Sequence, residues 1–286
     1  MITFPIAKIN IGLNIVERRP DGYHNLQTVF YPIPLSDVLE CFPMSDDYPS
    51  LYDADLKVTG TPIEGDEQKN LVVKAYNMLK ADFPDSIPRL HIHLHKRIPT
   101  QAGMGGGSSD ATYMLRLLND EYHLGLSNKE LAQYAVRLGA DCPFFVHPVA
   151  SYAEGIGEQL IPIDLRLDGW YMVIVKPDTT VSTREAFALV EPKKPEQNCA
   201  QIVMTDVRCW RSKLVNDFEK SVFAQYPEIG RVKERLYQSG AIYASMTGSG
   251  SALFALYEHK PAIDAETLGA NIYYSERLTS FTTFST

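Results

Sequence analysis

Cysteine is scarce in this chain and never clustered. The four residues Cys41, Cys142, Cys199 and Cys209 form no C-x-x-C pair in 286 residues. That argues against a disulfide framework or a thiolate metal site, and for free thiols in a reducing compartment. Positive charge is also short: 27 Lys and Arg stand against 35 Asp and Glu, a formal net charge of −8. Broad nucleic-acid binding needs a basic surface, so no nucleic-acid partner is expected. Long hydrophobic runs are missing. The stretch 170–175 is typical and strand-length, whereas about 20 apolar residues are needed to cross a bilayer. No membrane partner is expected. Met1 leads into Ile-Thr-Phe-Pro rather than a basic segment followed by a long apolar one, so a cytoplasmic location is expected. Several nucleotide motifs are absent too. There is no G-x-x-x-x-G-K-[ST], no H-R-D and no D-F-G. Glycines 103, 105, 106 and 107 do not make G-x-G-x-x-G, because Ser108 and Asp110 hold the required last positions.

What is present describes an ordinary globular protein, 45% hydrophobic and 22% charged, with enough apolar residues for a sizeable core. At roughly 150 residues per domain the length suggests two domains, and the order of elements puts the boundary near residue 150, giving α+β lobes over 1–150 and 151–286. The most unusual stretch runs Ile98-Pro99-Thr100-Gln101-Ala102-Gly103-Met104-Gly105-Gly106-Gly107-Ser108-Ser109-Asp110-Ala111. Glycine permits positive φ and close approach of a ligand. Ser108 or Ser109 suits the N-cap of a helix over 108–123. The free N–H groups at such a helix start favour an anion, typically phosphate. The alternative is a flexible loop, or a turn that lets two elements pack closely.

Around that stretch the pattern is mixed. Ile9, Ile11, Leu13 and Ile15 alternate with Lys8, Asn10 and Asn14, which predicts a half-buried strand over 8–15. Its polar face either looks into a site or is solvated, and alternation alone favours solvent. Pro20-Asp21-Gly22 predicts a turn presenting Tyr23 and His24. His91, His93 and His95 share one face of a strand over 90–95. Such spacing can bind metal, but no neighbouring cysteine or carboxylate completes a set, so a structural role is preferred and no metal site is assigned. Lys96 and Arg97 then point a basic pair at the glycine loop. Ser127 and Glu130 fit a capping box for a helix over 128–138, with Gly139 ending it. Asp141 sits between that glycine and Pro143, either capping a turn or facing the glycine loop as a base. The spacing predicts further strands over 28–33, 37–42, 241–245, 251–257 and 272–274. It predicts helices over 70–80, 216–226, 228–239 and 261–269, a linker over 191–198, a second glycine loop at 246–250 and a loose tail over 279–286.

The pattern P-x-x-x-G-x-G-G-G-S-S-x-A at 99–111 resembles the central motif of the GHMP kinase superfamily. Pro5-Ile6-Ala7-Lys8-Ile9-Asn10 resembles its N-terminal motif and Met246-Thr247-Gly248-Ser249-Gly250-Ser251 its C-terminal glycine loop, in the right order. Asp21-Gly22-Tyr23-His24, Gly139-Ala140-Asp141-Cys142-Pro143-Phe144-Phe145, Glu154-Gly155-Ile156-Gly157-Glu158 and Asn216-Asp217-Phe218-Glu219 narrow the match to the branch that phosphorylates a cytidine-diphosphate-linked alcohol. Cys142 replaces the usual valine, and Thr247 the common serine; neither removes a group the chemistry needs.

The resemblance implies an N-terminal lobe like domain 2 of ribosomal protein S5 and a ferredoxin-like C-terminal lobe. It implies ATP and Mg²⁺, a small-molecule substrate carrying a CDP group, and a monomer or weak homodimer. Asp141 would take the proton from the attacking hydroxyl, and Lys8 would pair with it and steady the charge that develops. ATP would be held by Gly103, Met104, Gly105, Gly106, Gly107, Ser108 and Ser109, with Asn70, Lys96 and Pro99 towards the adenosine. Substrate would meet Tyr23 and Phe187 stacking on the cytosine, His24 reading its edge, and Thr183 and Asn10 at the erythritol end. Two other readings stay open: a GHMP kinase for another small alcohol such as homoserine, and a nucleotide-binding regulator that has lost catalysis.

Overall fold

A computed structural model describes residues 1–63, 65–188 and 190–279; beyond Thr279, the expected tail lies outside the described residues. The strands are β1 (Ile2–Thr3), β2 (Ile6–Arg18), β3 (His24–Ser36), β4 (Val38–Pro43), β5 (Ala54–Gly60), β6 (Leu90–Lys96), β7 (Ser151–Glu154), β8 (Gln159–Pro162), β9 (Tyr171–Lys176), β10 (Tyr243–Met246), β11 (Leu253–Tyr257) and β12 (Asn271–Arg277). The helices are α1 (Leu71–Asp82), α2 (Gly106–Glu121), α3 (Asn128–Leu138), α4 (Thr183–Ala188), α5 (Cys199–Val203), α6 (Phe218–Gln225), α7 (Pro227–Gln238) and α8 (Ala265–Leu268). They form two compact units interlaced along the chain. The first comprises Met1–Ala7, Pro34–Thr100 and Gly105–Pro148, the second Lys8–Ile33, Gln101–Met104 and the chain from Val149 onward.

In the first unit the sheet order is β1-β4-β6-β5, with β4 antiparallel and β5 parallel to β6. Leu90, Ile92 and Leu94 alternate inward on β6 and pack with Val72, Tyr76 and Leu79 of α1 and Met114, Leu115 and Leu118 of α2. Burying each such side chain contributes about 1.5–3 kcal/mol. The three histidines between them face the other way. Thr59 Oγ1 lies 2.9 Å from both His93 Nε2 and His95 Nδ1, and His91 Nδ1 lies 3.1 Å from Asp55. Helix starts follow the capping chemistry: Asn70 Oδ1 accepts from Val72 N–H on α1, and Ser127 with Glu130 forms the full capping box on α3.

In the second unit one sheet has the order β10-β11-β9-β12 with every neighbouring pair antiparallel. With helices between β9 and β10 and between β11 and β12, this is the ferredoxin-like arrangement. Val173, Val175, Leu253 and Ala255 from the strands meet Phe218, Val222, Ile229, Val232 and Leu236 from α6 and α7. A further sheet has the order β2-β3-β7-β8.

Several expectations change. β2 is not half-solvated: residues 6–15 are buried on both faces, Lys8 and Asn10 included. Alternation shows which residues share a face but not what covers it. α2 begins at Gly106, and Gly105, not a serine, is its N-cap, with φ +68° and no side-chain capping bond. The positive φ of the loop starts the helix before the serines are reached. The polar linker ends at Asn198, whose side chain caps the unexpected α5 by accepting from Ala200 N–H. The helix expected over 261–269 shrinks to α8, because Asp264 caps it by accepting from Thr267 N–H. β5 carries too little alternation to have been read as a strand.

Candidate active site

In the first unit the glycine loop becomes a helix start stripped of side chains. Gly105 is in the left-handed region, and Ser109 N–H makes the first ordinary helical bond, to Gly105 O at 2.8 Å. The amides of Gly106, Gly107 and Ser108 have no preceding turn to bond. No acidic residue stands in that first turn, so the positive end of the helix is not cancelled. Together with the free amides this makes an anion cradle. Ser108 is half-buried, whereas Ser109 is fully buried and its hydroxyl has no hydrogen-bond partner among the described residues.

Behind the cradle lies a buried charge cluster the sequence did not reveal. Lys96 Nζ bonds Asp110 Oδ2 at 2.7 Å and also bonds Asp37 Oδ2; all three side chains are almost wholly inaccessible. Asp37 Oδ1 accepts the amides of Arg97 at 2.5 Å and Ile98 at 2.8 Å, fixing the chain as it enters the loop. Burial pushes the Asp110 carboxyl well above the usual carboxylate range, against the pull of Lys96. Lys96 is held high in turn: burial lowers it, but the two carboxylates more than offset that. The basic pair expected here is therefore one buried lysine matched by two acids and one exposed Arg97. A carboxylate at Asp110, inside the first turns of a phosphate-type helix, was the available signal. Pro99 is buried beside this entry, and Asn70 spends its side-chain oxygen on the α1 cap.

Asp141 opens the 3-10 turn Cys142–Val146, with Pro143 in its first turn, yet its side chain makes no capping bond. Capping is thus not the reason for a carboxylate there. The segment is tied to α2 by Thr112, whose hydroxyl lies 2.9 Å from both Ser108 O and Cys142 O. Burial raises the Cys142 thiol to about 11.

The second unit gathers Lys8, Asn10, Gly103 and Met104. Lys8 N–H donates to Met104 O at 3.0 Å, and Lys8 Nζ donates to Gly103 O at 3.1 Å and Asn10 Oδ1 at 2.8 Å. The ammonium also lies 4.9 Å from the centre of the Phe30 ring, a cation–π contact. Asn10 Nδ2 donates to Thr28 Oγ1 at 3.0 Å, whose own proton goes to Gly12 O at 2.6 Å. With its proton spent, Thr28 must accept, and this fixes the Asn10 amide with its oxygen towards Lys8.

The same unit holds the aromatic residues. His24 stacks on Phe187 with centroids 5.0 Å apart and planes at 23°, and Phe187 meets Phe218 edge-on at 4.8 Å. Tyr23, the residue before His24, is 61% exposed. Burial, helped by Arg18, lowers the His24 pKa, which favours the neutral ring with its one donor and one acceptor. Thr183 Oγ1 lies 3.0 Å from Ser249 Oγ of the second glycine loop. Thr28, Thr247, Asn216 and Glu219 carry much of this unit's polar network. The sequence named the last three only as parts of matching motifs.

Comparison with known proteins gives a consistent result. The family model "GHMP kinases N terminal domain" matches residues 70–148, and "GHMP kinases C terminal" matches 200–274. The 4-diphosphocytidyl-2-C-methyl-D-erythritol kinase of Bacteroides fragilis (strain YCH46) is 50% identical over 263 residues, 92% of this chain and 94% of its own. That of Bacteroides thetaiotaomicron is 48% identical over 96% of this chain and 98% of its own. A crystal structure of a 4-(cytidine 5'-diphospho)-2C-methyl-D-erythritol kinase superposes with a TM-score of 0.77 at 33% identity, covering 91% of each chain.

Proposed function

The chain belongs to the 4-diphosphocytidyl-2-C-methyl-D-erythritol kinases of the GHMP kinase superfamily, and from that membership we propose that it transfers the γ-phosphoryl group of ATP to the 2-hydroxyl of 4-diphosphocytidyl-2-C-methyl-D-erythritol. This is a step of the non-mevalonate route to isopentenyl diphosphate. The observation that carries the proposal is the 50% identity over 92% of the chain.

We assign ATP binding to residues 1–150 and a contribution to substrate binding to 151–286. The amides of Gly103 to Ser109 receive the phosphates, with Asn70 and Pro99 towards the adenosine, while the expected contact from Lys96 is replaced by support from behind the cradle, its ammonium being buried against Asp37 and Asp110. Asp141 takes the proton of the attacking hydroxyl as the new P–O bond forms and the bond to ADP breaks. Lys8 steadies the charge on the attacking oxygen. Beyond that, catalysis is alignment and neutralisation of the moving phosphoryl group. Mg²⁺ would supply neutralisation of the charge that develops on the transferring phosphoryl group. Among the described residues no cluster of three or more His, Cys, Asp or Glu could hold a metal ion. Ser108, half-buried beside the cradle, is the protein hydroxyl we assign to Mg²⁺. Tyr23 and Phe187 stack on the cytosine, Phe187 lying against His24 as well. His24 reads the polar ring edge, and Thr183 and Asn10 meet the erythritol end. No helix of the described residues is long and apolar enough to cross a membrane. We infer a cytoplasmic enzyme, monomeric or weakly dimeric, with a small-molecule substrate and no nucleic-acid partner.

A coupled ADP-release assay with ATP and Mg²⁺ tests the reading. Turnover is expected with the diphosphocytidyl substrate and not with homoserine or mevalonate. Turnover with homoserine instead, or none at all, would overturn it.

A further inference from the structure

The motif Asn216-Asp217-Phe218-Glu219 is bonded to the loop 246–250 through Asn216 and Glu219. Their hydrogen bonds converge on one hydroxyl. Asn216, 3% exposed, donates from its single Nδ2 to Met246 O and to Gly248 O, both at 2.8 Å. Its Oδ1 accepts from Phe218 N–H at 3.0 Å, so the amide cannot flip without losing all three bonds. Glu219 Oε1 accepts Met246 N–H at 2.8 Å, and its other oxygen is held by Lys233 at 2.6 Å. Asp217 Oδ2 accepts Ile15 N–H at 2.7 Å, tying the same motif to β2. The two residues flanking Thr247 are therefore clamped, and Thr247 itself is fully buried.

From that mount the Thr247 hydroxyl reaches the strand that carries Lys8. Its oxygen accepts Asn10 N–H at 3.0 Å and lies 3.0 Å from Gly103 O and 3.3 Å from Asn10 Oδ1. A hydroxyl has one proton to give. Asn10 Oδ1 already accepts from Lys8, so the shorter contact, to Gly103 O, takes it. Gly103 O is thus a shared acceptor, held by Thr247 Oγ1 and by Lys8 Nζ. The fit leaves no slack: a Cβ built on Gly103 would lie 2.0 Å from Thr247 O.

We propose that Thr247 is a positioning residue for phosphoryl transfer, its hydroxyl setting the Lys8 ammonium in place by holding the Asn10 backbone on one side and the Gly103 carbonyl on the other. The inference rests on the reading of Lys8 as a catalytic group. Thr247→Val keeps the shape and removes the hydroxyl. It is expected to lower kcat about 10- to 100-fold, the scale of a small misplacement of a catalytic group. KM for both substrates should change much less than kcat, because Thr247 is too buried to touch either and bonds Asn10 and Gly103 through their backbone. Thr247→Ser keeps the hydroxyl and is expected to restore kcat to within about threefold of the parent. A purely structural role would not separate kcat from KM in this way, nor be rescued by serine. An unchanged kcat in Thr247→Val, or a Thr247→Ser enzyme as slow as Thr247→Val, overturns the inference. Should Thr247→Val fail to fold, Thr247→Ala is read by the same criteria. Lys8→Met separates the two levels. If Lys8→Met remains active, the reading of Lys8 has failed and the inference falls with it. If Lys8→Met is inactive while Thr247→Val is normal, only the positioning role has failed.

Discussion

Lys96 shows at the scale of a residue how much of this site is hidden support. One buried cation is shared by Asp37 and Asp110. Removing a buried charge while its partners remain costs about 3–5 kcal/mol. Lys96→Met should therefore lower stability by about that amount, read as a shift of the urea midpoint at unchanged slope. A shift within experimental scatter would contradict the arrangement. Asp110 adds a pH dependence. Its folded carboxyl is raised to about 8, chiefly by burial, so the folded chain holds that proton more tightly than the unfolded one. Stability from this group is full at low pH and is lost as the pH rises from the ordinary carboxylate range to about 8. Urea unfolding of Asp110→Asn across that window should show a flatter pH profile than the parent. The family resemblance pointed to Lys8 and Asp141 and included Thr247 only as part of the second glycine loop, while nothing in the sequence marked Asp37 or Thr28. Thr247 lies 237 residues from the Asn10 amide it accepts, and spacing along a chain does not encode such a partner.

Among the elements, α2 and the loop before it gave both the clearest reading and a misreading. The glycine run signalled an anion cradle, and the structure supplies a helix start without a side-chain cap. What failed was the serine N-cap, because positive φ at Gly103 and Gly105 places the turn earlier. Gly103→Ala should be disruptive twice over, through φ of +70° and through a Cβ only 2.0 Å from Thr247 O. Together these should cost about 2–4 kcal/mol of stability. KM for ATP should rise as well, measured by initial rates. A Gly103→Ala enzyme with parental stability and KM would refute this account of the loop. Strand β2 teaches the complementary lesson. Its period-two pattern was legible, but the burial of its polar face was not, since that depends on β3 and the second glycine loop. On the aromatic elements, Tyr23→Ala should raise KM for the diphosphocytidyl substrate about tenfold with little change in KM for ATP, consistent with the loss of one stacking contact. An unchanged substrate KM would place the cytosine elsewhere.

Taken whole, the molecule carries a net charge of −8 yet is read as binding two polyphosphate ligands. Oriented amides at the α2 start and Lys8 on β2 supply local fields that a net charge does not measure. The α+β class follows from helix and strand signals strong enough to read, whereas the ferredoxin-like sheet was expected only from the family resemblance. The interlacing of the two units follows from neither, because strands that pass between units carry no mark of it in their own residues. ATP should stabilise the folded protein by about 2.7 kcal/mol at roughly 100 times its Kd. Asp141→Asn should keep that stabilisation, since the base is assigned to the acceptor hydroxyl and not to the nucleotide. The central claim is tested most directly by following the reaction of ATP with 4-diphosphocytidyl-2-C-methyl-D-erythritol by ³¹P NMR, for the parent and for Asp141→Asn. The account predicts one new phosphomonoester on the 2-oxygen for each ADP formed by the parent, and none from Asp141→Asn. A phosphate at another position, or an undiminished product signal from Asp141→Asn, would contradict it.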